Sequence, residues 1–346
     1  MPAWQADSCI GVAMLPYIGF VLLNINLNLW NPTNVTFIEA IILSFILGLV
    51  HGITPDEHTW PITFSYAVGS YSTRKGMKAG LIFSSGFTLQ RALLSEIAYF
   101  ALIAIFTTSL AFGITYVAVG AAMAVAGLYL SKKSTYLHWH YLERELGQWL
   151  GIHRKRSKYQ EEEFEHKINP IMSKDAKPEL RDVPLKLAFV HGLIAGFGFG
   201  AFALILYFVM VPAMPNMYLA WLPGFLFGIG TMTMQIIFGA FFGTFLTKKK
   251  NLTKEGIAFI SKYISKNVLY YGGLAFVVAG LAIIAFPNLL NLGISTGLKI
   301  HNLDTLNIGF FLVVFVVVII GIASYYAGIR KAVGLRYVNA EKLAHG

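Results

Sequence analysis

Cysteine is almost absent. The chain has one, Cys9, among 346 residues, which excludes an intramolecular disulfide and any metal site built from several thiolates. Charge is scarce as well. Asp, Glu, Lys and Arg make up 13% of the sequence, about half the ~25% of an ordinary soluble domain. The opening MPAWQADSCI carries no basic residue and so does not read as a cleavable signal. No HExxH helix points to a zinc protease, and no glycine loop followed by Lys-Ser/Thr points to a nucleotide. The histidine boxes of a membrane desaturase would need many more imidazoles in or beside the membrane than His51, His58 and His191 supply.

Apolar residues take the place of charge. They form 56% of the chain, with 33 glycines and 27 phenylalanines, a composition suited to closely packed membrane helices. Eight apolar runs are long enough to cross roughly 30 Å of hydrocarbon. They lie near 10–30, 36–54, 78–105, 109–130, 184–211, 218–247, 267–289 and 306–329. The polar triplet Thr107, Thr108, Ser109 predicts the turn between the third and fourth. The shorter HTWPITFSYAVGSYS at 58–72 reads as a re-entrant piece lining a cavity, where irregular backbone is tolerated.

The formal net charge of +10 is unevenly distributed. Lys and Arg cluster at 74–78, 132–133, 144, 154–158, 248–254, 262–266 and 330–336, which are alternate connections and the C-terminal end. Connections 31–35, 107–109 and 212–217 carry none, and 288–305 carries only Lys299. The positive-inside rule then puts both termini in the cytoplasm of a multi-pass protein of the plasma or inner membrane. A charge distributed in this way points to lipid and not to nucleic acid.

The expected organisation is all-α, with an N-terminal membrane half at 1–130, a cytoplasmic tether at 131–182, a C-terminal membrane half at 183–330 and a tail at 331–346. In the tether, Trp139, Leu142, Leu146 and Trp149 recur at helical spacing and HRKRSK follows. That pattern predicts an amphipathic helix over 131–158 on anionic headgroups. The mixed charge beyond it could dock a cytoplasmic metal-delivery partner. The two halves echo each other: FILGLVHGI (45–53) against LAFVHGLI (187–194), and SSGFTLQ (84–90) against GIGTMTMQ (228–235). Since spans two and five run oppositely by charge, a three-plus-three inverted repeat is expected, spans 2–4 against 5–7. The binding site would lie at the repeat interface.

Ionisable groups inside a membrane are costly and are functional candidates by default. His51, Asp56, Glu57 and His58 lie within VHGITPDEHTW, and His191 opens the second HG. Imidazole with carboxylate suits the borderline divalent metals nickel, cobalt, zinc and iron. Pro55 should break the helix between the two histidines, freeing carbonyls and turning Asp56 or Glu57 inward. Gln90 and Gln235 fall at matching places of the echoes, as amide ligands or interhelical glue. Arg91 and Glu96 fall in span three, where pairing of Arg91 with Glu96 or Asp56 would neutralise it. The rival for Arg91 is a binding group for an anion or a metal chelate, and a rival from another class is an intramembrane metalloenzyme. His138, His140, His153 and His166 lie in the tether, where the simple expectation is solvation and the sharper one is metal delivery.

HGITPDEHT at 51–59 and HGLIAGFGFG at 191–200 together resemble the nickel/cobalt transporter superfamily, including its urease-accessory branch. The resemblance covers the membrane core but is carried by these two short motifs. It implies a permease without a prosthetic group whose cargo is nickel or cobalt. His51, Asp56 and His58 would select the metal, with His191 from the second half. Two departures stand out: Glu57 is inserted between the usually adjacent Asp and His, and Phe87 stands where the family often has another histidine.

Overall fold

The computed structural model describes residues 28–101, 108–131, 184–244, 252–335 and 337. Most of the first expected span, the tether beyond Ser131 with its four histidines, Cys9 and most of the tail lie outside the described residues.

The chain enters its first described helix, α1 (Phe37–Ile53), through a capping box in which Thr36 and Glu39 each accept from the other's backbone N–H. Pro55 ends it, as expected from a ring that clashes with the preceding turn. After a six-residue turn a short helix, α2 (Trp60–Gly69), starts with Pro61 in its first turn, where proline's missing N–H is harmless. The segment expected to be re-entrant is therefore helical for ten residues, eight of them buried. α3 (Thr73–Tyr99) and α4 (Ser109–Ser131) follow.

The second half repeats the interrupted element. α5 (Leu185–Ala195) stops at Gly196, irregular backbone runs to Gly200, and α6 (Ala201–Ile205) continues through a π turn, Leu206–Met210, and a 3-10 turn, Val211–Ala213. The span expected at 184–211 is thus two helical pieces around a glycine-rich break. α7 (Leu222–Thr244) and α8 (Lys254–Ala285) come next, α8 starting well before the run expected at 267–289. A small antiparallel hairpin, β1 (Gly293–Ser295) with β2 (Thr305–Asn307), is the one departure from all-α among the described residues. The last helical stretch is α9 (Ile308–Val313), a π segment, Val314–Ile320, and α10 (Gly321–Gly334).

Four stretches are long and apolar enough to cross a bilayer: Ser109–Ser131, Met217–Thr244, Lys254–Ala285 and Ile308–Gly334. Phe241, Val278, Leu281 and Ile319 on them are more than half exposed. Side chains of this kind facing outward in number mark a surface built for an apolar medium. The fold is mostly helical, with the long apolar helices of a multi-span membrane protein.

Glycines set the helix crossings. On α1, Gly48 lies against the Phe227 carbonyl of α7 and Gly52 against Thr231 and Met234; on α5, Gly192 lies against Phe83 of α3 and Gly196 against Gln90. A Cβ at any of the four would collide with its neighbour. Residue numbers rise together along both pairs, so α1 runs parallel to α7 and α5 parallel to α3. Between α3 and α7 they run oppositely, with Gly80 against Gln235 and Gly76 against Gly239. α1 and α5 are therefore antiparallel, as the charge pattern implied.

These contacts are reciprocal. A shift of 144 positions takes the Gly48–Phe227 contact to Phe83–Gly192. It likewise takes Phe45–Gly230 to Gly86–Phe189, Gly80–Gln235 to Arg91–Gly224, and Gly52–Met234 to Gln90–Gly196. The two HG dipeptides are 140 apart, about one helical turn out of this register. The two glutamines are thus not equivalent in packing: Gln90 matches Met234, and Gln235 matches Arg91.

Replacing Gly48 or Gly192 with Ala should cost about 1–3 kcal/mol through overpacking, read as a lower melting temperature in detergent. Gly334→Ala, where no atom lies within 4 Å, should leave melting unchanged. Equal behaviour of all three variants would refute close approach as the reason for the glycines.

Candidate metal centre

The helix break at Pro55 builds the site. The last carbonyls of α1 still need donors: that of Val50 accepts from the Thr54 N–H, that of His51 from the Thr54 hydroxyl, and that of Gly52 from the Gln235 side-chain amide at 3.3 Å. Beyond the proline, the Asp56 carboxylate Oδ1 accepts the His58 N–H at 3.0 Å, and its carbonyl accepts from Thr59 and Trp60 to start α2. This local turn fixes the Asp56 rotamer and leaves Oδ2 facing back toward α1.

His51 meets it there. Its Nε2 lies 3.4 Å from Asp56 Oδ2, and its Nδ1 lies 3.3 Å from Thr231 Oγ1. The single hydroxyl proton of Thr231 goes to the Gly48 or the Phe227 carbonyl, at 3.1 and 3.0 Å. Thr231 Oγ1 can thus accept from Nδ1 and orient the ring, leaving Nε2 as the nitrogen that faces Asp56. An imidazole nitrogen and a carboxylate oxygen facing each other inside the protein are a pair that could hold a cation. The ring is held by Phe87, Phe202 and Phe227, with centroids 5.0–5.6 Å away.

His58 is arranged in parallel. Its Nδ1 is 3.5 Å from Glu57 Oε1, and that oxygen also accepts the Tyr116 hydroxyl at 2.8 Å. A carboxylate beside Nδ1 keeps the proton there and leaves Nε2 as the ligand atom. His58 is 4% exposed, and its Nε2 has no hydrogen-bond partner among the described residues. Asp56, Glu57 and His58 offer ligand atoms all within 4.8 Å of one another. With His51 on Asp56, these four residues expected from the sequence form one group, buried except for the partly exposed Glu57. It lies where the two apolar cores meet, one containing Tyr116 and the other Phe87, Phe202 and Phe227.

The remaining expected residues distribute differently. His191 is buried, but its Nδ1 lies 2.8 Å from the Tyr66 hydroxyl, and it is not among the residues drawn together around Asp56. Arg91 makes no ion pair with Glu96 or Asp56 among the described residues, contrary to the pairing expected. Its guanidinium donates to the Gly198 carbonyl at 2.8 Å and the Tyr207 hydroxyl at 3.2 Å, and lies over Phe87, Phe227 and Tyr207. The reason is geometric: the glycine-rich break of the second half supplies a carbonyl within reach, and aromatic faces offset part of the charge. Gln90 lies beside Gly196, and among the described residues both its amide atoms and Glu96 Oε2 have no hydrogen-bond partner.

Two contributors escaped the sequence reading, and a third, Gly198, belongs to the glycine-rich stretch after His191 expected to allow close backbone approach. Tyr116 and Thr231 orient the two histidines from other helices. Gly198 lies on the face of the His58 ring, where a Cβ would come within 2.6 Å of Cε1. The hairpin also reaches inward: His301 stacks on Trp30 at 4.3 Å and meets Phe202 edge-on, and Asn302 donates to Thr54 at 3.5 Å. Its Gly293–Gly297 stretch spells GxSxG, but Ser295 is on an exposed strand leading into the hairpin loop and not on the strand-to-helix elbow that motif requires.

No protein-family model, curated protein or solved structure matches this chain. What the group could do chemically rests on its own geometry: a buried His/carboxylate cluster able to coordinate a metal ion.

Removing an orienting group should weaken binding without touching a ligand. Thr231→Val and Tyr116→Phe should each lower divalent-metal affinity about 10–100-fold, measured by titration calorimetry on the purified protein. Wild-type affinity in both would show that the hydroxyls do not orient the histidines.

Proposed function

We propose that the chain is a secondary permease for a divalent transition-metal cation, with nickel or cobalt as cargo. His51 and His58 supply nitrogen ligands through Nε2; Asp56 and Glu57 supply oxygen and offset the charge of the ion. Two nitrogens with two carboxylate oxygens suit a borderline divalent ion better than calcium or magnesium, which prefer all-oxygen shells. The motifs that resemble the nickel/cobalt transporter superfamily include all four residues. The observation that carries the reading is the burial of this cluster at a helix break facing the other half of the chain.

Transport would proceed by alternating exposure of the interface between two inverted three-span repeats, in an eight-span protein with both ends in the cytoplasm. The antiparallel helix pairs and the reciprocal contacts at a shift of 144 support that plan. The cargo crosses unchanged, so the protein acts as a carrier and not as an enzyme. His191 serves in this reading as a packed partner of Tyr66 and not as a ligand.

The test is direct. Purified protein is heated against a panel of divalent metals, since a ligand that binds only the folded state raises its stability by RT ln(1 + [L]/Kd). One or two metals should raise the melting temperature, and His51→Ala/His58→Ala should abolish the shift. The same variant in proteoliposomes should lose uptake of the radiolabelled metal. Uptake that persists in the folded double variant would overturn the assignment.

A further inference from the structure

We propose that Arg91 and Gln235 are paired positioning residues, each a clasp that holds the broken helix of the opposite half, and that their unequal strength decides which side of the metal cluster opens first. The proposal rests on the permease reading above but concerns the breaks and not the ion.

The two residues are equivalent in packing. The shift that relates the helix contacts takes Arg91 to Gln235, through the reciprocal contacts of Gly224 with Arg91 and of Gly80 with Gln235. Each points its side chain across the interface to a main-chain carbonyl that a helix break has left without a helical donor. Gln235 Nε2, on α7, donates to Gly52 at the end of α1 at 3.3 Å. Arg91 Nη2, on α3, donates to Gly198 in the break after α5 at 2.8 Å. Gly52 shifts to Gly196, two residues from Gly198, so the two bonds are nearly mirror events in the two halves.

Each clasp also sits beside one histidine of the cluster. Gly52 follows His51 in the chain, and Gly198 covers the ring of His58. Releasing the Gly198 segment uncovers His58; releasing Gly52 frees the end of α1 that carries His51. A side chain holding either carbonyl keeps the corresponding approach shut.

The clasps differ in chemistry. Arg91 brings a charge-assisted bond, a second bond to Tyr207 at 3.2 Å and three aromatic faces, the nearest with its centroid 4.8 Å away. Gln235 brings one neutral, longer bond, and its Oε1 has no partner among the described residues. Charge-assisted bonds are roughly twice as strong as neutral ones. The Gly198 side is therefore the tighter closure, and the Gly52 side yields first.

The test uses thiol labelling of the full chain in membranes without added metal. Cys9 is the only native cysteine, so a Cys9→Ser background accepts single reporters at two buried positions, Ala195→Cys beside the second break and Thr54→Cys beside the first. With both clasps intact, Thr54→Cys should label faster than Ala195→Cys. Arg91→Gln should speed labelling of Ala195→Cys about tenfold or more, the ratio expected for one lost charge-assisted bond, and leave Thr54→Cys unchanged. Gln235→Leu should do the reverse. Arg91→Lys, which keeps the charge but loses the planar fork, should fall between wild type and Arg91→Gln. Both reporters accelerating together, or neither responding to Arg91→Gln, would overturn the proposal, because a residue that only supports the fold has no preferred side. Since no metal enters the assay, a negative metal panel with side-specific labelling would fault the permease reading and leave the clasps standing.

Discussion

A helix that stops inside a protein built for an apolar medium leaves carbonyls with no helical donor, and the rest of this structure is arranged around that fact. Each orphaned carbonyl in such surroundings costs several kcal/mol if left bare. At Pro55 the carbonyls of His51 and Gly52 are taken by the Thr54 hydroxyl and the Gln235 side-chain amide. In the second half the Gly198 carbonyl is taken by Arg91. Two of the donors come from the opposite half, so neither break is stable by itself. Close crossing of α1 with α7 and of α3 with α5 is what brings the donors within reach, and glycine at positions 48, 52, 192 and 196 permits it.

The same break concentrates charge. Asp56 is buried and Glu57 partly buried, and neither finds a lysine or arginine within ion-pairing distance among the described residues; their neighbours are histidines. A buried carboxylate is strongly unfavourable unless it is paired, and the groups beside these two are His51, His58, the His58 N–H and the Tyr116 hydroxyl. Arg91 does not join them, because its guanidinium is held by Gly198, Tyr207 and aromatic rings. Cation–π contacts contribute about 0.5–2 kcal/mol each, which offsets part of the cost of burying Arg91 and keeps it from collapsing onto Asp56. A fixed positive group near a pair of carboxylates, but not on them, leaves the oxygens able to coordinate a metal ion.

Much of this was legible in the sequence, and what was not has physical causes. Pro55 announced a break, and the four ligand residues were close enough in the chain for any local turn to bring them together. Partners from distant helices left no such trace: Thr231 and Tyr116 are ordinary residues in apolar runs until α7 and α4 are placed beside the site. Matching letters do not give the packing register, since the HG dipeptides are a turn out of the one that the glycine contacts define. His191 shares that dipeptide with His51, but its place one turn along an antiparallel helix sets it against Tyr66. The hairpin at 293–307 was invisible because its strands are three residues long and their pairing is with each other.

The register offset also explains how the halves divide the work. In the packing register, His51 corresponds to Ala195, Glu57 to Ala201 and His58 to Phe202, so the second half has no ligand at any of these equivalent positions. It has apolar and glycine residues there, and this stretch covers the candidate site of the first half: Phe202 packs edge-on to His51, and Gly198 lies on His58. In the permease proposed above, ligands kept on a single half under a close-fitting apolar cover from the other would let the ion leave when the cover alone moves. The hairpin extends the same logic, since His301 rests on Phe202 and Asn302 on Thr54, tying one loop to both breaks. Movement of either break must then be felt at that loop, which joins α8 to the last helical stretch and lies far from the ligands in sequence.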